Sequence, residues 1–165
     1  TSGGFTWVAG VGDYFVDNGV STALSTANLI DKYSGGLEQG VMKVDQYVRF
    51  AEITDGLSNT SWIQEDAGRP TRYRAGKLLT GRFSGAGWAD RDNEGILHGM
   101  NAAGTASGGS CAVNCSNDNE IYAFHPSGAM ILMGDGAVRF LSQNTSIRIV
   151  ARLITRGAGE AADDF

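Results

Sequence analysis

The feature that most constrains this chain lies near its end. Residues 129–134 read Ala-Met-Ile-Leu-Met-Gly, Asp135-Gly136 follows, and Ala137-Val138-Arg139-Phe140-Leu141 returns. A run that is apolar on both faces marks a strand covered from both sides, hence central in its sheet. Asp-Gly between two such runs is a strong hairpin signal, because the turn needs positive φ. Asn144-Thr145-Ser146 then offers a helix N-cap. Ile147, Val150, Ala151 and Ile154 recur at helical spacing, which predicts an amphipathic helix. Arg148, Arg152 and Arg156 form a stripe along it, and Gly157 suits its C-cap.

Earlier segments are less regular. The pattern predicts a strand near 5–9 and a short helix within 22–33, with Leu24, Ala27 and Ile30 on one side. Strands are expected over 46–53 (Tyr47, Val48, Phe50, Ile53), over 61–65 (Trp62, Ile63), near 77–83 and over 121–124. Residues 99–119 are almost all Gly, Ala, Ser and Asn and read as a long surface loop. The chain's 24 glycines and 2 prolines fit many turns at positive φ. Its 165 residues suit one domain with one core. The expected fold class is α+β: an antiparallel sheet, a C-terminal amphipathic helix and long Gly-rich loops.

Charge narrows the function classes. A net charge of −5 argues against nucleic acid, whose phosphates require a clustered basic surface, and against an anionic membrane surface. No apolar run reaches the ~18 residues of a membrane span. The chain starts at Thr1 without a charged segment leading into an apolar one. Either there is no export signal, or the part that carried it precedes these residues.

The search for chemistry finds few candidates. There is no G-x-S-x-G elbow, no P-loop and no dinucleotide fingerprint. His98 and His125 could each act as a base, but neither has a companion nucleophile in sequence. For metal, Asp90, Asp92, Asn93 and Glu94 alternate oxygen ligands before Gly95, which suits calcium, although the distal bidentate Glu of a full EF-hand loop is missing. Asp13, Asp17 and Asn18 form a weaker second cluster, and Asn117, Asp118 and Glu120 a third. Each cluster reads first as a solvated turn and second as a calcium loop. Cys111 and Cys115 lie four residues apart, as a disulfide or as two free thiols. The disulfide reading is favoured and implies an oxidising compartment. Asn59-Thr60-Ser61, Asn114-Cys115-Ser116 and Asn144-Thr145-Ser146 match the glycosylation pattern but read as capping and turn residues.

Two segments carry a resemblance. Arg49 to Thr60 contains Ile53-Thr54-Asp55-Gly56-Leu57-Ser58-Asn59-Thr60, preceded by Glu52. It resembles an "R-x-x-D-I-T-D-G-x-S-N-T" block. His125-Pro126 to Asp135-Gly136 resembles a "His-x9-Asp-Gly" signature. Both belong to the planctomycete set of prepilin-like proteins of unknown function, and the likeness covers most of 47–160, leaving 1–46 as a variable part of one domain. That resemblance implies a pilin-like body, a cleaved leader and an apolar N-terminal helix; neither of the latter is among these residues, and Glu52 stands where the block has Asp. It further implies a non-enzymatic protein of the cell surface, periplasm or an extracellular filament, partnered by itself or by similar subunits, needing no cofactor, and reaching a membrane only through the absent helix. If residues 129–134 are extended, His125 and Asp135 sit ~20 Å apart and the signature shapes backbone, whereas a functional contact between them requires the chain to bend back at Gly128 or Gly134. The alternatives are a calcium-dependent or glycan-binding module using Trp7 and Trp88, and an enzyme with an unrecognised site.

Overall fold

The Asp135-Gly136 turn closes as the sequence requires. The strand Gly128–Met133 and the strand Val138–Ser142 pair antiparallel, with Met130 opposite Phe140. Gly136 has φ +87°, and its N–H donates to the Met133 carbonyl. The computed structural model describes residues 8–33 and 38–159. Along them run β1 (Tyr14–Val20), α1 (Thr22–Thr26), a 3-10 turn (Phe50–Glu52), β2 (Ser61–Glu65), β3 (Thr71–Arg74), β4 (Lys77–Arg82), β5 (Glu94–Leu97), β6 (Gly128–Met133), β7 (Val138–Ser142) and α2 (Ile147–Ile154).

Five strands form one sheet in the order β5-β1-β2-β6-β7, and β3 and β4 form a separate two-stranded sheet. This corrects the expected fold class. The protein is mostly β, with two sheets and little helix, and not an α+β pilin-like body. Nor is the main sheet purely antiparallel: β1 and β5 run parallel. The reason lies in the long excursion between them, which carries the β3-β4 hairpin and returns the chain to the same end of β1.

The amphipathic helix forms where its period places it. Ser146 caps it by accepting from the Ile149 N–H, and Ile147, Val150, Ala151, Leu153 and Ile154 are buried. They close over Phe15, Leu24, Ile131 and Leu141 in a single core. Arg148 and Arg152 both reach Asp31, the latter with Nε 2.8 Å from Oδ2. The helix stops at Thr155, whose backbone is extended, two residues before the expected Gly157 cap.

Other expectations meet the structure in part or not at all, for physical reasons. Residues 46–53 form no strand, because their apolar groups alternate with no partner strand beside them. The helix within 22–33 is a single stretch of five residues, ended by Asn28 at φ +58°. Residues 99–119 are not simply a surface loop: Ala112, Val113, Ser116 and Asn117 are buried. Buried irregular backbone must find partners. Here Asn114 and Asn117 supply them: Asn114 Oδ1 accepts from the Ala123 N–H, and Asn117 accepts from the Tyr73 N–H while donating to the Thr71 carbonyl. Residues 121–124 make only isolated bridges, Asp66 with Tyr122 and Val113 with Ile121. The expected strand near 5–9 falls mainly outside the described residues, and residues 8 and 9 are not in a strand.

Candidate functional site

The two signature blocks meet at one end of the sheet. Gly134 N–H donates to the Thr60 carbonyl at 2.8 Å, and Asp135 N–H to the Leu57 carbonyl at 3.1 Å. Within the first block, Asn59 donates to the Asp55 carbonyl and the Thr60 hydroxyl to that of Gly56. Ile53 is buried, while Thr54 and Ser58 stay exposed on the turn. The carboxylate of Asp55 accepts from the backbone N–H groups of Ala158 and Gly159, at 3.0 and 2.8 Å. Asp55 thereby holds the segment leaving α2, which explains an acid in the middle of a turn.

In the second block Asp135 Oδ1 accepts from the Ala137 N–H inside the hairpin turn. His125-Pro126 lies beyond the opposite end of β6, about 20 Å away at strand rise. His125 Nε2 sits 3.2 Å from Glu65 Oε1, and the other Glu65 oxygen accepts from the Met130 N–H at 2.6 Å. His125 and Asp135 are therefore not brought together. His98 lies elsewhere, its Nδ1 3.4 Å from Glu120 Oε1.

Cys111 and Cys115 are joined in a disulfide. The Asp90–Glu94 loop engages its polar groups separately. Asp90 accepts from the Asp92 N–H, Asp92 sits beside Arg91, Asn93 donates to the Tyr14 carbonyl, and Glu94 accepts from the Asn18 amide. Among the described residues no group of three or more His, Cys, Asp and Glu side chains is placed to hold a metal ion. Trp88 is exposed, and Trp7 lies outside the described residues.

Sequence reasoning did not foresee a groove of about 360 Å³ on the outer face of β1 and β2. Val16, Trp62, Val44, Tyr47 and Phe50 line it, with Lys43, Arg91 and Glu94 among its polar lining. Phe50 stacks on Trp62 with ring centroids 6.0 Å apart. Tyr47 is fully exposed and Phe50 is 68% exposed. The 38–42 segment is tied to β1 by Gly40 N–H to the Asn18 carbonyl and Met42 N–H to that of Asp17. The available signal was the mixed run from Val41 to Ile53, where Val44, Tyr47, Val48 and Phe50 stand among Lys43, Asp45, Gln46 and Arg49.

The chain belongs to the family described as "Protein of unknown function (DUF1559)", SBP_bac_10, whose match spans residues 14–148. Both signature blocks fall inside that span. No curated protein and no solved structure matches the chain.

The inner face of the same strands holds a second unforeseen arrangement. Asp17, in β1, is 1% exposed. Its Oδ2 accepts from the Ser61 hydroxyl at 2.5 Å and from the Gln64 amide at 2.9 Å. Burial pushes its carboxyl up to about 7, against the lowering effect of those two bonds. Glu120 is also buried and also raised by burial, with the His98 hydrogen bonds holding it down in part. Asp17 and Glu120 come from two different acidic clusters of the sequence, and they line one narrow cavity.

Proposed function

We propose that this family member is a non-enzymatic structural or interaction protein that works by self-association through its outer groove. The observation carrying this reading is the groove itself. Large apolar groups open to solvent and gathered on one face mark an interaction surface far more often than scattered ones do. The polar lining has both signs, Lys43 and Arg91 with Glu94. Such a face complements a copy of itself across a two-fold axis, each cation opposite the partner's acid. The signature residues Asp55, Asn59, Thr60 and Asp135 support it by their use: each satisfies nearby backbone.

The disulfide fits an oxidising compartment. Among the described residues no helix is long and apolar enough to cross a membrane. The likeness of both blocks to planctomycete prepilin-like proteins is the ground for assigning the protein to the cell surface, periplasm or an extracellular filament. Sedimentation across a concentration series tests self-association. The wild type should shift from monomer to dimer, and the double variant Tyr47→Ser, Phe50→Ser should remain a monomer. A wild type that stays monomeric at millimolar concentration would sink the reading.

A further inference from the structure

The β3-β4 ribbon is positively charged on a chain that is not. Residues 67–89 hold Arg69, Arg72, Arg74, Lys77 and Arg82, five of the chain's 13 cations, and none of its 18 acids. Arg69 turns inward, where its Nη1 lies 2.9 Å from the buried Asp66 carboxylate. The other four make no ion pair among the described residues. Strand register sets three of them on one face. Arg74 stands opposite Lys77 and Arg72 opposite Leu79, while Tyr73 points the other way and packs on Tyr122 and Phe124. Arg82 is exposed and continues the charge beyond the register shift.

Like charges directly across a strand pair repel, so the Arg74–Lys77 pairing is a cost that an anion would relieve. The cations are spread out along the ribbon. Arg72 leans across β4, with its guanidinium carbon 4.6 Å from the centre of the Phe83 ring. Its Nη1 lies 3.3 Å from where a Cβ on Gly81 would stand, so a glycine there, at φ +91°, leaves the path open. Arg74 rises beside Gly104, its Cβ 3.4 Å from the Cβ position of that glycine. Nε of both arginines is buried, so an incoming anion meets the terminal nitrogens. The ribbon is firmly backed. Ala75 N–H donates to the Cys115 carbonyl and Asn117 N–H to that of Tyr73, and the disulfide ties Cys115 to Cys111.

Cations strung along a ribbon suit several anionic groups in a row better than a single one. We propose that the face of Arg72, Arg74 and Lys77, extended by Arg82, binds an acidic polysaccharide through its carboxylate groups. A guanidinium pairs with a carboxylate through two parallel hydrogen bonds, and its plane stacks on an aromatic ring as Arg72 does on Phe83. Nucleic acid fits less well. It carries a charge at every nucleotide, and its run beyond the ribbon would meet a body that holds all 18 acids. A polysaccharide with spaced carboxylates meets less of that repulsion. The disulfide also agrees with an oxidising compartment. The site is separate from self-association, since the ribbon follows the end of β2 whereas the groove lies on the outer face of β1 and β2.

The test follows the fluorescence anisotropy of a labelled polygalacturonate fragment titrated with the whole chain, at low and at physiological salt. The wild type should bind at low salt and weaken by about tenfold or more at physiological salt. Arg74→Gln with Lys77→Gln should weaken binding by about tenfold and flatten the salt dependence. Its Tm should hold or rise, because the repulsion across the strands is gone. Lys32→Gln with Arg49→Gln makes the same change of charge elsewhere and should bind as wild type, as should Tyr47→Ser with Phe50→Ser at a dilution where no dimer forms. Should the first double variant fail to fold, Lys77→Gln alone, at an exposed position, must still weaken binding. No binding by the wild type at low salt overturns the proposal, as do equal losses in the two charge-matched variants or a loss in the groove variant. Tighter binding to single-stranded DNA or to phosphatidylglycerol vesicles than to polygalacturonate overturns it too.

Discussion

The two faces of β1 reverse the usual order of a protein. Val16 points to the outer groove, where aromatic rings stand in water; Phe15 and Asp17 point to the inner cavity, where a carboxylate is cut off from it. Strand alternation alone produces this, since successive side chains leave on opposite faces. A buried polar group and an exposed apolar cluster are the two informative departures from ordinary burial. Here they sit back to back across one sheet. Each is a cost that a fold keeps only for a reason, and the two reasons differ. The outer face leaves aromatic rings in water, while the inner face keeps a carboxyl group out of it.

The inner face should contribute to the pH dependence of stability, together with Asp66, whose carboxyl burial raises well above its ordinary value against the pull of Arg69. The folded protein holds a proton on Asp17 up to about pH 7, whereas an unfolded chain releases it near 3.8. The stability this proton carries is complete below pH 3.8 and is lost as pH rises towards 7, on the order of 4 kcal/mol. Glu120, across the cavity and raised in the same direction, adds to the slope. Asp31 acts oppositely. Burial would raise it, but Arg152 and Arg148 prevail and lower it, so its contribution fades only in acid. Urea midpoints at pH 5 and pH 8 should therefore favour pH 5, and Asp17→Asn should reduce that difference, with Asp66 and Glu120 carrying the remainder. A wild type more stable at pH 8 than at pH 5 would mean that Asp17 is not desolvated as described.

Close packing on the same face gives the next effect. A methyl group on Gly95 would stand 1.7 Å from the ring of Phe15, itself 3% exposed. The ring has core on its other side, so relief requires β5 to move from β1. Gly95→Ala should cost about 3 kcal/mol or more, read as a lower denaturation midpoint at unchanged slope. Should the variant match wild type, the inner face is looser than its distances imply.

Legibility in sequence followed this same division. The β6-β7 hairpin and α2 could be read because their signals are local: an Asp-Gly turn, a period of 3.6 and a Ser cap. The cysteine pairing was only favoured in sequence, with free thiols as the alternative, and the structure joins the two. The inner cavity was visible only in halves. Asp17 and Glu120 belonged to separate acidic clusters more than a hundred positions apart. What joins them is a parallel β1-β5 pairing that no local pattern encodes. One clue was present, in that Asp17 follows Phe15 at strand period and so shares its inward face. Ser61 and Gln64 gave no such clue, since three positions apart they should face opposite ways. A register shift between Ser61 and Ile63 allows both to reach Asp17. The groove was misread as a strand because apolar residues over 46–53 look alike whether they meet a sheet neighbour or water.

The outer face should give the smallest effect on stability, and that is what separates it from the inner one. Tyr47 is fully exposed and its ring is absent from every aromatic pair among the described residues. Removing it uncovers no core and leaves no polar group unpaired. Tyr47→Ser should therefore change the unfolding free energy of the monomer by less than about 0.5 kcal/mol, measured in urea at a dilution where no dimer forms. At high concentration the wild type should gain stability from association and the variant should not, because only a folded pair buries the groove. A variant that loses more than about 1.5 kcal/mol in dilute solution would show that Tyr47 helps to hold the 41–53 segment on the sheet, and the outer face would then be core.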